Sequence, residues 1–170
     1  VSTALLREPT DSDYGKTLRK MLKGEIHGTR QELLDLFIKD REYDVTHNIL
    51  PLLRKGYLVI LDRYFYSTAA YQAGNTILPH DIVTMNIVKG FPIPERVYFI
   101  DVDPVEAFKR IHKRSGKNKE IFEQVNVLET IRNNYLSIAD SNFAIIRGDS
   151  SVEDVFKEVL KDFKKHFVIE

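Results

Sequence analysis

The 170-residue chain contains no cysteine, which excludes disulfides, thiolate metal ligands and a cysteine nucleophile. It has no excess of charge: 25 lysines and arginines meet 25 aspartates and glutamates. No global basic field therefore advertises a nucleic-acid partner, and any anion site has to be local. No apolar run approaches the roughly 20 residues that span a bilayer, so no membrane partner is expected. The opening VSTALLREP lacks the basic region and long apolar stretch of a signal peptide, and it lacks a starting methionine. It reads as a strand entered with no lead-in, so the expectation is a chain whose beginning lies elsewhere. The five histidines show no metal-ligand spacing, and repeats, low-complexity tracts and linkers are missing. With 43% apolar and 29% charged residues, a single globular domain over 1–170 is expected.

Short apolar runs alternate with helical patterns. STALLR (2–7) reads as a strand halted by Pro9, and Leu18, Met21 and Leu22 fall at helical spacing within 14–23. Thr29 with Glu32 forms a capping box for a long helix with Leu33, Leu34, Phe37, Ile38 and Ile49 to bury, kinked or ended near Pro51. YLVILD (57–62) and RVYFIDV (96–102) are nearly unbroken apolar runs, as expected of strands buried on both faces. Asp103, Pro104 and Glu106 mark a helix start, NFAIIRG (142–148) another strand, and the last segment an amphipathic helix with a basic end. This order predicts an α/β fold with a parallel sheet. Ligands of such sheets bind beyond the carboxyl ends of the strands. Arg7-Glu8, Asp62-Arg63, Asp101-Asp103 and Gly148-Asp149 stand at those ends.

YGKTLRK contains Gly-Lys-Thr, the close of a P-loop, but the motif needs a glycine five residues before Gly15 and Thr10 stands there. Carboxylates would also occupy the phosphate position, so Gly15 is read as allowing close packing of a helix start. In LVILDRYFYSTAAYQAG, Asp62 could hold magnesium-bound water and Arg63 could bind phosphoryl oxygens bidentately; a structural ion pair is the plainer alternative. Ser67, Thr68 and Tyr71 follow at i, i+1 and i+4, roughly one helical face. Phe37 and Arg41, also at i and i+4, offer a ring and a guanidinium to a base, or else a core phenylalanine and a surface arginine. KRIHKRSGKNKE (109–120) has seven basic or histidine positions in twelve. It is either a solvated loop or a segment closing over polyphosphate.

Taken together, REP after the first strand, LF…R on a long helix, DRY…S…AYQ after the next strand and IDVDP…A.KR resemble the thymidylate kinase family of P-loop nucleoside monophosphate kinases. So do the basic segment, NNYLSIA and the terminal helix. The resemblance implies a three-layer α/β/α P-loop-kinase fold whose first strand, P-loop and first helix, roughly 30 residues, precede Val1. It implies ATP- and Mg2+-dependent phosphorylation of dTMP to dTDP; a kinase of another nucleotide or deoxynucleoside, and a non-catalytic nucleotide-binding domain, are the alternatives. By resemblance Phe37 stacks on thymine and Arg41 reaches its edge. Arg63 holds the acceptor phosphate, and Asp62 places the metal or its water. Ser67, Thr68 and Gln72 line the pocket, with Thr68 where relatives often carry Asn or Gly, and Tyr71 packs on the sugar. Glu8, in the REP turn, joins the substrate-binding candidates. The lid is expected at about 113–121, with Arg114 or Lys117 acting on the transferred phosphate or the donor, and Gly148 near the donor adenine. REPTDSD departs from the REPGGT of many bacterial relatives, and the lid lacks an arginine at the usual place. A cytoplasmic homodimer, with the helix of 29–54 as a possible contact, completes what the resemblance implies.

Overall fold

The computed structural model describes residues 2–115 and 125–167, the side chains of 114 and 115 apart. The fold is described in two compact units, 1–93 and 94–170. Each has its own pair of parallel strands.

In the first unit β1 (Thr3–Arg7) leads through a loop to α1 (Asp13–Leu22) and α2 (Arg30–Asp44). A π-helical turn (Val45–Ile49), α3 (Leu50–Arg54), β2 (Leu58–Asp62), α4 (Phe65–Gln72) and α5 (Pro79–Val88) follow. β1 and β2 pair in parallel with Arg7 opposite Asp62. The Thr29–Glu32 capping box is present: Glu32 N–H donates to Thr29 Oγ1 over 3.2 Å and Thr29 N–H to Glu32 Oε2 over 2.7 Å. The long helix departs from α-geometry upstream of Pro51, where Leu50 N–H bonds back to the carbonyl of Val45. Pro51 has no N–H to give and its ring crowds the carbonyl four residues back; one wider turn relieves that conflict and lets the chain continue helically. Leu18, Leu34, Phe65 and Ile82 form the centre of this core, all at most 1% exposed.

The second unit runs β3 (Val97–Asp101), α6 (Pro104–Ser115), α7 (Val125–Ser137), β4 (Phe143–Arg147) and α8 (Val152–His166). β3 and β4 are parallel with Asp101 opposite Arg147. Asp103 caps α6 by accepting from Val105 and Glu106 N–H, and Ser151 caps α8.

The strands are therefore parallel, as expected, but among the described residues they form two pairs rather than one continuous sheet. Burial on both faces is not found: Leu5 is 75% and Ile60 45% exposed. These two residues are register partners and so share a face, while Ala4, Leu6, Val59 and Leu61 are half-buried. No helix in the described residues is long and apolar enough to cross a membrane.

Candidate functional site

At the carboxyl end of β2, Asp62 faces Arg7 across the strand pair, Oδ2 to Nε 3.5 Å, and both side chains are largely exposed. Arg63 comes next with φ of 71°, alone among the described non-glycine residues in being left-handed. An L-residue pays about 1–2 kcal/mol for that conformation, and such strain gathers at functional sites. Here it makes the abrupt exit from β2 into α4. It also sets the guanidinium over the Tyr71 ring, 5.2 Å from the centroid.

A second arginine does the opposite. The i, i+4 pattern on α2 allows a core Phe37 and a surface Arg41, but the structure reverses them: Phe37 is half-buried and Arg41 only 1% exposed. A buried charge survives only when paired and hydrogen-bonded. Arg41 Nη2 donates to Glu8, the residue directly after β1, and to Thr68 Oγ1 of α4 at 2.9 Å, while Nη1 donates to Asn86 Oδ1 of α5 at 2.9 Å. The Tyr64 ring lies beneath it at 5.1 Å. Asn86 is itself held by donating to the carbonyl of Ile82 over 2.7 Å.

This interior is not fully satisfied. Glu8 Oε1, Arg41 Nε, Asp44 Oδ2, the Tyr64 hydroxyl and Gln72 Nε2 are buried without a hydrogen-bond partner. Unpaired buried polar atoms are rare in native interiors, and those of Glu8, Asp44 and Tyr64 belong to residues that interact with the Arg41 guanidinium. Burial pushes the Glu8 carboxyl up to about 7, outweighing Arg41, which pulls it down; Asp44 and Asp40 nearby push the same way. Burial also raises Asp44, against the bond it accepts from Asn48, and raises the Tyr64 hydroxyl. The arrangement could meet the donors and acceptors of a planar polar ligand edge.

The loop between Glu8 and α1 is fastened to α2 by Asp40, 1% exposed. Asp40 accepts from Thr10 N–H at 2.8 Å, Thr10 Oγ1 at 2.6 Å and Ser12 Oγ at 2.7 Å. Ser12 Oγ in turn accepts from Gly15 N–H at 3.0 Å and caps α1. Arg19 closes the other side by donating to the carbonyls of Pro9 and Thr10 at 2.9 and 2.7 Å. A side chain on Gly15 would put its Cβ 1.9 Å from the Thr10 carbonyl oxygen, so glycine is demanded there by packing. Lys16 pairs with Asp13 at 3.2 Å on the surface. The Gly-Lys-Thr tripeptide is a helix start.

The first unit thus gathers Glu8, Arg41 and Thr68 in one hydrogen-bonded cluster and sets Arg63 against Tyr71. Ser67 and Tyr71 are half-buried, whereas Thr68 and Gln72 are buried, so Thr68 parts from Ser67 and Tyr71 despite the spacing. In the second unit Gly148 donates to the Asp101 carbonyl at 2.7 Å, and an added Cβ would meet Val102 Cγ2 at 2.4 Å and Ile100 Cγ2 at 2.8 Å. Its carbonyl accepts from Arg110 Nη1 at 2.7 Å. Asp101 is held by Arg132 of α7, Nη2 to Oδ2 2.8 Å. Lys117, the side chain of Arg114 and nearly all of the expected lid lie outside the described residues. Among the described residues no three His, Cys, Asp or Glu gather as a metal site.

Asp40, Asp44, Tyr64 and Asn86 were not apparent as site residues. A signal exists for three of them: Asp40 and Asp44 bracket Arg41 on α2, and Asn86 interrupts the apolar run IVTMNIV. Nothing local marks Tyr64.

A family model described as thymidylate kinase matches residues 1–159. The thymidylate kinase of Leptospira borgpetersenii is 42% identical over 94% of this chain and 78% of that protein. That of Leptospira interrogans is 38% identical over 96% and 79%, and a probable thymidylate kinase of Archaeoglobus fulgidus 39% identical over 92% and 77%. The fold is similar to that of a solved thymidylate kinase from Candida albicans, with TM-score 0.73 and 22% identity over 96% of this chain and 80% of that one.

Proposed function

The chain belongs to the thymidylate kinase family, a family of phosphotransferases, and from that premise we propose that it moves the terminal phosphoryl group of ATP to a phosphate oxygen of dTMP. The products are dTDP and ADP. The observation that carries this reading is Arg41: fully buried, held by Glu8, Thr68 and Asn86, yet with Nε unpaired one helical turn beyond Phe37. A ring and a fixed guanidinium at that spacing suit a pyrimidine's face and edge.

In this reading Phe37 stacks on the thymine and Arg41 faces its edge. Ser67, Thr68 and Gln72 line the pocket, and Tyr71 packs against the sugar. Arg63 holds the acceptor phosphate from the strand end, and Glu8 acts by fixing Arg41. The acceptor phosphate is already ionised near neutral pH, so no general base is needed; positioning and cationic stabilisation do the catalytic work. Arg114 and Lys117 of the basic segment supply cations to the transferring group, and Gly148 lies near the donor adenine.

Asp62 is an exposed carboxylate whose pairing with Arg7, at 3.5 Å, is loose and solvated; as a single protein ligand it fits Mg2+ that would be held mainly by water and phosphate oxygens. When bound, the ion neutralises charge on the phosphates during transfer. A cytoplasmic homodimer belongs to the same reading.

The test is a coupled assay of the full-length protein with ATP and Mg2+ against dTMP, dUMP, CMP and thymidine. Preference for dTMP is expected, with most turnover lost in Arg63→Ala. Preference for CMP or thymidine would assign a related kinase, and nucleotide binding without turnover of any acceptor would assign a non-catalytic domain.

A further inference from the structure

Two neighbouring residues of α2 with opposite charges seize the two ends of one loop. Arg41 holds Glu8 where β1 ends, and Asp40 holds Thr10 and Ser12 where α1 is about to begin. The Asp40 carboxylate is 1% exposed and takes three hydrogen bonds, all from this loop. A buried carboxylate accepting three donors, two of them hydroxyls, is a demanding arrangement: only an acceptor-only group with two oxygens can serve all three. The bonds also run on. Thr10 Oγ1 accepts from Ser12 N–H at 3.1 Å, and Ser12 Oγ accepts from Gly15 N–H, so the loop and the first turn of α1 are wired to a single side chain.

We propose that Asp40 is a positioning residue for the acceptor nucleotide: by fixing Thr10 and Ser12 it fixes Glu8, and through Glu8 the guanidinium of Arg41. The inference rests on the reading of Arg41 as the group facing the acceptor base. Asp40 touches no substrate atom in this scheme. Its carboxylate bonds to Thr10 and Ser12, which the backbone joins to Glu8 through Pro9, and its effect is on where the fork points. Arg19, which grips the Pro9 and Thr10 carbonyls, stiffens the same loop from α1 but cannot substitute for the acceptor that Thr10 and Ser12 require.

Asp40→Asn keeps the shape but offers one acceptor oxygen and a donor, so it opposes a donor to a donor. In the full-length protein the expected result is a rise of about tenfold or more in KM for dTMP, the equivalent of one lost charged hydrogen bond. The kcat and the KM for ATP stay within about threefold of the parent, a split that loss of stability alone does not produce. Thr10→Val should shift KM for dTMP in the same direction by a smaller factor. Thr10→Ser, which restores the hydroxyl, should return it to the parent value, and this pair decides the matter if Asp40→Asn fails to fold. An unchanged KM for dTMP in the folded variants, or KM values for dTMP and ATP that rise together, overturns the inference and leaves the functional reading intact. If the parent protein neither binds nor phosphorylates dTMP, both fall.

Discussion

Glu8→Gln isolates what burial does to the carboxyl that holds Arg41. The amide oxygen can still accept from the guanidinium, so shape and one hydrogen bond persist while the titration disappears. In the folded protein burial lifts the Glu8 carboxyl from its ordinary 4.5 to about 7. Between those values the folded state binds a proton that the unfolded chain has released, so stability must fall as pH rises through that window. The contribution of Glu8 is complete below about pH 4.5 and lost by about pH 8. At 1.36 kcal/mol per pKa unit the loss is about 3 kcal/mol. Urea unfolding of parent and variant between pH 4.5 and 8.5 gives the difference directly. The parent's advantage over Glu8→Gln should shrink by about 3 kcal/mol across the range, and a 13C-labelled Glu8 carboxyl should titrate near 7 by NMR. A difference that is flat, or that grows with pH, would mean that Arg41 outweighs burial and would refute the reasoning.

Three further perturbations test other parts of the molecule. Arg63→Ala and Arg63→Gly should both lose most dTMP turnover, but Gly should be the more stable by about 1 kcal/mol because φ of 71° suits it; equal melting temperatures would remove the argument from backbone strain. Gly148→Ala should destabilise by about 1–3 kcal/mol through crowding of Val102 and Ile100, and an unchanged melting temperature would show that the β4 exit can yield. Lys16→Ala should leave KM for ATP as it was and shift stability by less than about 0.5 kcal/mol, since Lys16 pairs with Asp13 on the surface. A tenfold rise in KM for ATP would restore the P-loop reading of Gly-Lys-Thr.

Much of this was legible in the residue order. Local chemistry announces itself locally: Thr29 and Glu32 cap a helix across one turn, Asp103 starts another, and Pro51 disturbs the helix it enters. The parallel strands and the placement of Asp62-Arg63 at a strand end follow from apolar runs that stop at polar residues. The departure of Gly-Lys-Thr from a P-loop is likewise a matter of counting to Thr10.

What the sequence could not determine is which charge goes inside. The partners of Arg41 lie 33, 27 and 45 residues away along the chain, at the end of β1 and on α4 and α5. Helical spacing says that Phe37 and Arg41 share a face but not what that face meets, and only three converging elements make burial of a guanidinium tolerable. The same holds for Asp40, an ordinary helix-surface residue by pattern and the anchor of a loop 28 to 30 residues before it by structure. Secondary structure is written in neighbours, whereas the solvation of a charge depends on everything the fold brings around it.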